Sequence, residues 1–215
     1  MQFSLIPTPD SYFTLKENTF GEFKEKGSRF LCYAYPVEDE QEIHKALDIL
    51  RKEHYNATHV CYAYRLGTSG LQFRANDDGE PSSTAGKPIL GQIDSFGLTN
   101  VLVAVVRYYG GTKLGTGGLK AAYKYGAKVA LEAGEKIEKL VEELVDIHYP
   151  YAQTNLVMKL MRNLNLEIKT HLGYKEVNED SHPFIRVAVR KSLLNDFTQG
   201  LEKIEGLGYE QLPGV

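Results

Sequence analysis

The sequence has little of several features that define large classes of protein. It has only two cysteines, Cys32 and Cys61, which are too few for a disulfide framework and do not form a Cys-x-x-Cys pair. The longest strictly aliphatic run, residues 101–106, is too short to cross a bilayer. The apolar N-terminal residues follow no basic segment and contain two prolines, unlike a signal peptide. These absences predict a cytoplasmic protein with no membrane role.

An excess of one charge is also absent. The 215 residues include 25 Lys+Arg and 28 Asp+Glu, and 42% are hydrophobic, which excludes a disordered, collagenous or coiled-coil chain. A net charge of −3 argues against nucleic-acid binding, because phosphate affinity comes from Lys and Arg. However, the whole net charge falls after Gly134, and no acidic residue lies between Ser95 and Leu131. The sequence therefore permits a locally cationic surface.

Hydrophobic periodicity predicts an α+β protein with two domains, residues 1–134 and 135–215. In the first domain, Gly97 and Gly134 are predicted to end the second and third helices. The apolar strand at 101–106 is predicted to be covered on both faces. The predicted elements of this domain are strands at 12–16, 30–37, 58–66, 71–74 and 101–106, and helices at 38–53, 89–96 and 117–133.

The second domain repeats the periodic signals in a different order. The pattern is βαββαβ, which is typical of a ferredoxin-like fold. The predicted elements are strands at 137–147, 166–174, 184–190 and 208–212, and helices at 151–162 and 193–204.

One tetrapeptide occurs twice, as residues 32–35 and 61–64, both Cys-Tyr-Ala-Tyr. Alternation along a strand puts the small Cys and Ala residues on one face and the four tyrosines on the other. We expect the helices to pack on the Cys/Ala face and the tyrosine face to be more open. An open tyrosine face would suit base stacking. The alternative is that these tyrosines pack inside the protein.

A glycine-rich segment, residues 107–120, connects the apolar strand to a helix. Its glycines leave backbone N–H groups accessible at a helix N-terminus, where the dipole favours an anion, and Lys113 and Lys120 add positive charge. The segment matches neither a Walker A motif nor GxGxxG. The alternative is that the glycines serve only tight turns and close packing.

A second polar segment, residues 76–88, contains three carboxylates, Asp77, Asp78 and Glu80. They have two alternative roles: supporting the loop through hydrogen bonds, or forming an acid–base or metal cluster. Turn chemistry explains the Asn, Asp and Gly residues without a metal. We assign no catalytic residue, metal or cofactor.

Three segments together resemble the IMPACT family in its bacterial, YigZ-like form. They are residues 58–65 (THVCYAYR), 77–86 (DDGEPSSTAG) and 107–115 (RYYGGTKLG), and residues 26–30 (KGSRF) add to them. The resemblance implies a first domain similar to the second domain of a small-subunit ribosomal protein, and a second domain similar to one of elongation factor G. Both relatives act on or near ribosomal RNA. Eukaryotic members carry an N-terminal RWD domain linked to kinase regulation, for which this sequence leaves no room, so we do not carry that role over.

The leading hypothesis is a non-enzymatic regulator of translation that binds RNA or the ribosome, with a phosphate-like anion as a further candidate ligand. One alternative is a small-molecule enzyme that uses the glycine segment for phosphate and the carboxylates for chemistry. Another is a protein-interaction module acting through the ferredoxin-like sheet. The residues predicted to bind nucleic acid or an anion are Arg29, Lys87, Arg107, Tyr108, Tyr109, Gly110, Gly111, Lys113, Gly117, Gly118 and Lys120.

Overall fold

Separate hydrophobic cores divide the chain into two units. In the computed structural model, which describes residues 10–178 and 180–212, the first unit is Tyr12–Lys139. The second begins at Leu140 and includes Asp10 and Ser11. The two units divide between Lys139 and Leu140, five residues after the domain boundary predicted at Gly134. Residues 1–9, where no signal peptide is predicted, lie outside the described residues.

The first unit is built on a five-stranded antiparallel sheet and three helices. Its elements are β1 (Ser11–Leu15), β2 (Thr19–Glu25), β3 (Ser28–Pro36), α1 (Glu40–Glu53), β4 (His59–Leu66), β5 (Gln72–Asn76), α2 (Gly86–Phe96), β6 (Val101–Tyr108), α3 (Gly115–Glu132) and β7 (Lys136–Leu140). The strand order is β2-β3-β6-β4-β5, and β1 pairs with β7 in a separate two-stranded sheet.

Strand β6 occupies the centre of this sheet, and helices cover both of its faces. Val103 and Val105 pack in the core under α2 and α3, whereas Leu102 and Ala104 pack with α1. Every residue of β6 except Tyr108 is buried, as its uniform apolar sequence predicts. Because the pairing is antiparallel on both sides, β6 ends at the same edge at which β3 and β4 begin.

The predicted open tyrosine face is wrong. The Cys/Ala face does carry α2 and α3, but α1 covers the other face, where Tyr62 and Tyr64 are buried against Ile43, Leu47 and Leu50. The physical reason lies in α1 itself, whose i, i+3, i+4, i+7 apolar stripe needs a surface to cover. Tyr62 and Tyr64 therefore supply core area, and the half-buried Tyr33 and Tyr35 pack against the same cluster.

The second unit has the predicted βαββαβ order. Its four antiparallel strands are arranged β11-β8-β10-β9, and Val145, Ile147, Val187 and Phe197 belong to its core. Its elements are β8 (Glu142–His148), α4 (Thr154–Asn163), β9 (Ile168–Val177), β10 (Asp180–Arg190), α5 (Leu194–Leu201) and β11 (Gly208–Gln211), with 3-10 turns at Tyr151–Gln153 and Lys191–Leu193. The α+β class is confirmed.

Three local predictions need correction. The single strand predicted at 137–147 is two strands in different sheets, β7 and β8, and β2 was not predicted at all. Gly134 does not adopt the left-handed conformation expected of a helix-ending glycine. Helix α3 ends at Glu132, and its C-cap residue, Ala133, is right-handed. Gly134 is small for another reason: a β-carbon there would lie 2.6 Å from Cγ2 of Thr19. Gly97, in contrast, ends α2 with a φ of 62°, as predicted.

Candidate nucleic-acid interface

The glycine segment leaves β6 and is anchored at its start by its backbone amides. Tyr109 N–H donates to Oγ1 of Thr58 at 3.1 Å, and Gly110 N–H donates to Oγ of Ser28 at 3.3 Å. A β-carbon at Gly110 would overlap the backbone of Gly27 and Ser28, so only glycine fits there. The Gly110 amide is therefore engaged within the protein and not free to bind an anion.

Beyond this anchor, the segment is exposed up to the first turn of α3. Gly111 has a φ of 84°, and Lys113 projects from the exposed part of the loop. No side chain caps the start of α3 at Leu114, and its first turn contains no acidic residue. The helix N–H groups up to that of Gly117 have no partner within α3 and are thus available to an anion, and the exposed Lys120 follows one turn later. The amide of Gly118 is not available as predicted, because it donates the first hydrogen bond of the helix to the carbonyl of the N-cap residue Leu114.

The second predicted motif is a loop held together by Asp77. Its carboxylate accepts hydrogen bonds from the amides of Ser83 (2.8 Å), Ala85 (2.9 Å) and Gly86 (2.8 Å). Partial burial alone would raise the pKa of Asp77, but the amides of Gly86, Ser83 and Ala85, together with nearby Lys87, outweigh burial and lower it. The carboxylate of Asp78 accepts from the amide of Val60 at 2.6 Å. Both side chains fasten the loop to α2 and β4.

A buried ion pair joins the two motifs. Nη1 of Arg107, at the end of β6, lies 2.6 Å from Oε1 of Glu80, and both side chains are at most 5% exposed. The same oxygen accepts a hydrogen bond of 2.7 Å from the hydroxyl of Tyr123 in α3, and Nη2 of Arg107 donates to Oγ of Ser28. Arg107 therefore cannot contact a phosphate as predicted, because its charge is used to brace the glycine segment from behind.

Tyr123 and Ser28 belong to this network, although neither is among the site residues predicted from the sequence. Tyr123 is fully buried, and burial raises the pKa of its phenol, so it remains a hydrogen-bond donor. One signal was available: Tyr123 lies eight residues after Gly115, on the side of α3 that faces the sheet. A buried tyrosine at that position needs a hydrogen-bond acceptor, and Glu80 supplies it.

Two further polar side chains approach the network from β4. Nδ1 of His59 is 2.7 Å from the carbonyl oxygen of Asp78, and its Nε2 is 3.8 Å from Oε1 of Glu80. The thiol of Cys61 donates to the carbonyl oxygen of Asp77 at 3.0 Å. Burial raises the pKa of the Cys61 thiol, so it is not a ready nucleophile.

The predicted acid–base or metal cluster does not form. Each of the three carboxylates is occupied by donors from the protein: backbone amides for Asp77 and Asp78, and side chains for Glu80. Across residues 10–178 and 180–212, no group of three or more His, Cys, Asp or Glu side chains is arranged to hold a metal ion. The hydrogen bonds instead match the loop-supporting alternative.

The remaining predicted residues are spread over the first unit. Arg29 is exposed but forms an ion pair of 2.6 Å with Glu22 of the neighbouring strand, and Lys87 is exposed in the first turn of α2. Tyr108 faces the α1 side, where its hydroxyl meets Nδ1 of His54 at 3.1 Å. Tyr109 is 46% exposed, and its ring lies 5.5 Å from the guanidinium carbon of Arg107. Of the two tyrosines, only Tyr109 lies beside the exposed loop.

The fold and this site define a class of two-unit α+β proteins in which a buried Glu–Arg pair supports an exposed, cationic glycine loop. The Impact N-terminal domain model matches residues 26–131, which include both motifs. IMPACT family member YvyE of Bacillus subtilis is 35% identical over 179 residues, covering 78% of this chain and 82% of its own. The chain belongs to the IMPACT family.

Other relatives agree with this assignment. IMPACT family member YigZ of Escherichia coli is 41% identical over 108 residues, which cover 49% of this chain and 53% of YigZ. A crystal structure described as that of a hypothetical protein covers 95% of this chain and 98% of its own, with 27% identity and a TM-score of 0.67. No helix in the described part of the chain is long and apolar enough to cross a membrane.

Proposed function

We propose that this protein regulates translation by binding RNA or the ribosome through the loop and first turn of α3. The observation that carries the proposal is the combination of uncapped amides and exposed lysines at Gly111–Lys120, with no acidic residue nearby in sequence. Membership of the IMPACT family supports a role in translation, because the resemblance relates both units to proteins that act on ribosomal RNA. A cytoplasmic location belongs to the same proposal.

The electrostatic arrangement supports an anionic partner. Within the described residues, Lys113, Lys120 and Lys124 form no ion pair, whereas Lys128 pairs with Glu132 at 3.5 Å. Unpaired cations beside free backbone amides are the arrangement that attracts phosphates, since both favour negative charge. The net charge of the whole chain does not oppose this, because phosphate contacts depend on local charge.

The structure refines the set of proposed contacts. Lys113, Lys120 and the amide of Gly117 remain direct candidates for phosphate, and Tyr109 for stacking at the loop. The amide of Gly118 does not, because it is bonded within α3. Lys87, on α2, is a further cation of the same unit. Arg107 and Gly110 change role, from contact to support, because both are bonded within the protein.

The proposal is tested by measuring binding of purified ribosomal subunits and of single-stranded RNA at several salt concentrations. Each phosphate contact that is lost should reduce the dependence of log Kd on log salt by about 0.7 for single strands. The Lys113→Ala/Lys120→Ala variant should therefore bind more weakly at low salt and show a shallower slope. Lys45→Ala/Lys52→Ala is the matched control, because it also removes two exposed lysines, both on α1, on the opposite side of the sheet.

Two results would contradict the proposal: no binding of either RNA or ribosomal subunits, or binding that is insensitive to salt. Equal weakening by Lys45→Ala/Lys52→Ala would also contradict it, because the effect would then depend on overall charge and not on this surface.

A further inference from the structure

A groove lies beside the proposed phosphate surface, between strand β2 and helix α3. Its volume is about 440 Å³. One wall is formed by residues 23–25 of β2, and the other by Gly118, Ala121, Ala122 and Tyr125 of α3. The small side chains of α3 leave space, so the groove can admit a flat group.

Aromatic rings form one part of this groove. Phe23 stacks on the buried Phe30, with ring centroids 4.8 Å apart and planes at 5°. Tyr125 meets Phe23 edge-to-face, with centroids 5.0 Å apart and planes at 85°. The Tyr125 side chain is 52% exposed, although it is fixed against a ring that is anchored in the core. It thus offers a preformed aromatic surface whose ordering costs little on binding.

Positive charge surrounds the aromatic surface. Lys24 lines the groove, and Lys124 and Lys120, one and five residues before Tyr125, are exposed on α3. Glu25 is the acidic residue of the lining, and it lies on the β2 wall. The start of α3, with its uncapped amides, is adjacent, since Gly118 belongs to both the first turn and the groove. Aromatic stacking surfaces with flanking cations are the features that hold single-stranded nucleic acids.

We propose that this groove binds one unpaired base of single-stranded RNA, which stacks on Tyr125 while the flanking phosphates meet Lys24, Lys124 and the first turn of α3. The inference rests on the proposed function and specifies its substrate class. A paired base is already stacked between its neighbours and cannot enter a groove of this size, so the site selects single strands over duplexes.

Tryptophan fluorescence provides a direct test, because the chain contains no tryptophan. The Tyr125→Trp variant would place the only tryptophan in the groove, where it can be excited selectively over the tyrosines. Oligouridine RNA of about 12 nucleotides, enough to span a typical single-strand site, should quench this fluorescence, whereas duplex RNA of equal length should leave it nearly unchanged. Tyr55→Trp is the control, because Tyr55 is 80% exposed and lies outside the groove.

Affinity measurements complete the test. Tyr125→Leu should weaken binding of oligouridine about 5- to 100-fold, the range for loss of one base stack. Tyr55→Leu should have no effect, and thermal unfolding would verify that both variants fold. If wild-type protein binds neither oligouridine nor duplex RNA nor ribosomal subunits, the proposed function itself fails. If it binds them but Tyr125→Leu and Tyr125→Trp behave as the controls do, or duplex and single strand bind alike, the groove proposal is overturned while the proposed function stands.

Discussion

Glu80 is the residue on which the junction of the two motifs depends. Its buried carboxylate accepts from both Arg107 and Tyr123. Glu80→Gln keeps the shape of the side chain but leaves the guanidinium of Arg107 buried without a counter-charge. Because an unpaired buried charge is costly, we expect a loss of about 3–5 kcal/mol in the free energy of unfolding. Urea denaturation at neutral pH measures it.

Two companion variants separate the contributions. Tyr123→Phe removes one hydroxyl donor but keeps the ion pair, so its loss should be smaller, about 1–3 kcal/mol. The double variant Glu80→Leu/Arg107→Met removes both charges and should be more stable than Glu80→Gln, because it leaves no buried charge unpaired. Nε of Arg107, a buried atom for which the described residues supply no hydrogen-bond partner, would also disappear. A Glu80→Gln variant as stable as the wild type would contradict the role of the pair.

Asp77 makes the stability of the first unit depend on pH. Since the pKa of Asp77 is lower in the folded protein, the ionised carboxylate stabilises the fold above the unfolded pKa, and this contribution disappears as the pH falls through the folded pKa. Asp77→Asn should lose about 1–3 kcal/mol at pH 7, because an amide cannot replace the charged acceptor. Unfolding at pH 7 and near pH 3 is the measurement: the gap between wild type and variant should narrow in acid. A gap of constant size would contradict the assignment.

At the scale of elements, the glycines between β6 and the first turn of α3 differ in whether the structure requires glycine at their positions. Gly110→Ala should destabilise the first unit, because its β-carbon overlaps the backbone of Gly27 and Ser28. Gly117→Ala should stabilise it by about 0.5–1 kcal/mol, because Gly117 lies in a helix with open space around it. Thermal unfolding of the two variants checks the opposite signs. Two shifts of the same sign would show that the loop is not packed in this way.

The predictability of the elements depended on whether local pattern or tertiary contact decided each one. Helix α1 and strand β6 could be predicted from the sequence, because the spacing of their apolar residues matches the faces that they bury. In contrast, the hydrophobicity of β2 does not follow its burial: Thr19 and Gly21 occupy inward positions, whereas Phe20 is exposed. The strand is held by its pairing with β3, which the local pattern does not show. The sequence pattern could not predict the break between β7 and β8, because both segments are strands and differ only in the strands with which they pair.

The segments that form the candidate site could be predicted from the sequence, but the contacts between their side chains could not. Sequence motifs identified both the carboxylate loop and the glycine segment, yet the assignment of Arg107 to phosphate followed from its charge alone. Whether an arginine faces solvent or the core depends on the strand register, and here Arg107 shares the face of Val103 and Val105 under α3. The role of Tyr123 could not be predicted for the same reason. Its helix was predicted, but its hydrogen-bond partner, Glu80, is 43 residues away in the sequence.

At the scale of the whole molecule, the two units differ in net charge. The second unit carries the entire negative excess, whereas the first contains the stretch without acidic residues that includes the exposed Lys113, Lys120 and Lys124. Under the proposed function, this division concentrates the attraction for phosphate in one unit, while the acidic unit reduces non-specific binding of the chain to nucleic acids.

The position of β6 also sets the order in which the protein can be assembled during its synthesis. Its neighbours in the sheet, β3 and β4, both precede it in the chain, and they have no other partner on that side. Until residue 108 is made, the nascent chain holds two hairpins with open edges, which are prone to pair with other chains. Insertion of β6 closes both edges in one step. The first unit therefore reaches its native sheet late, when more than half of its chain has been made.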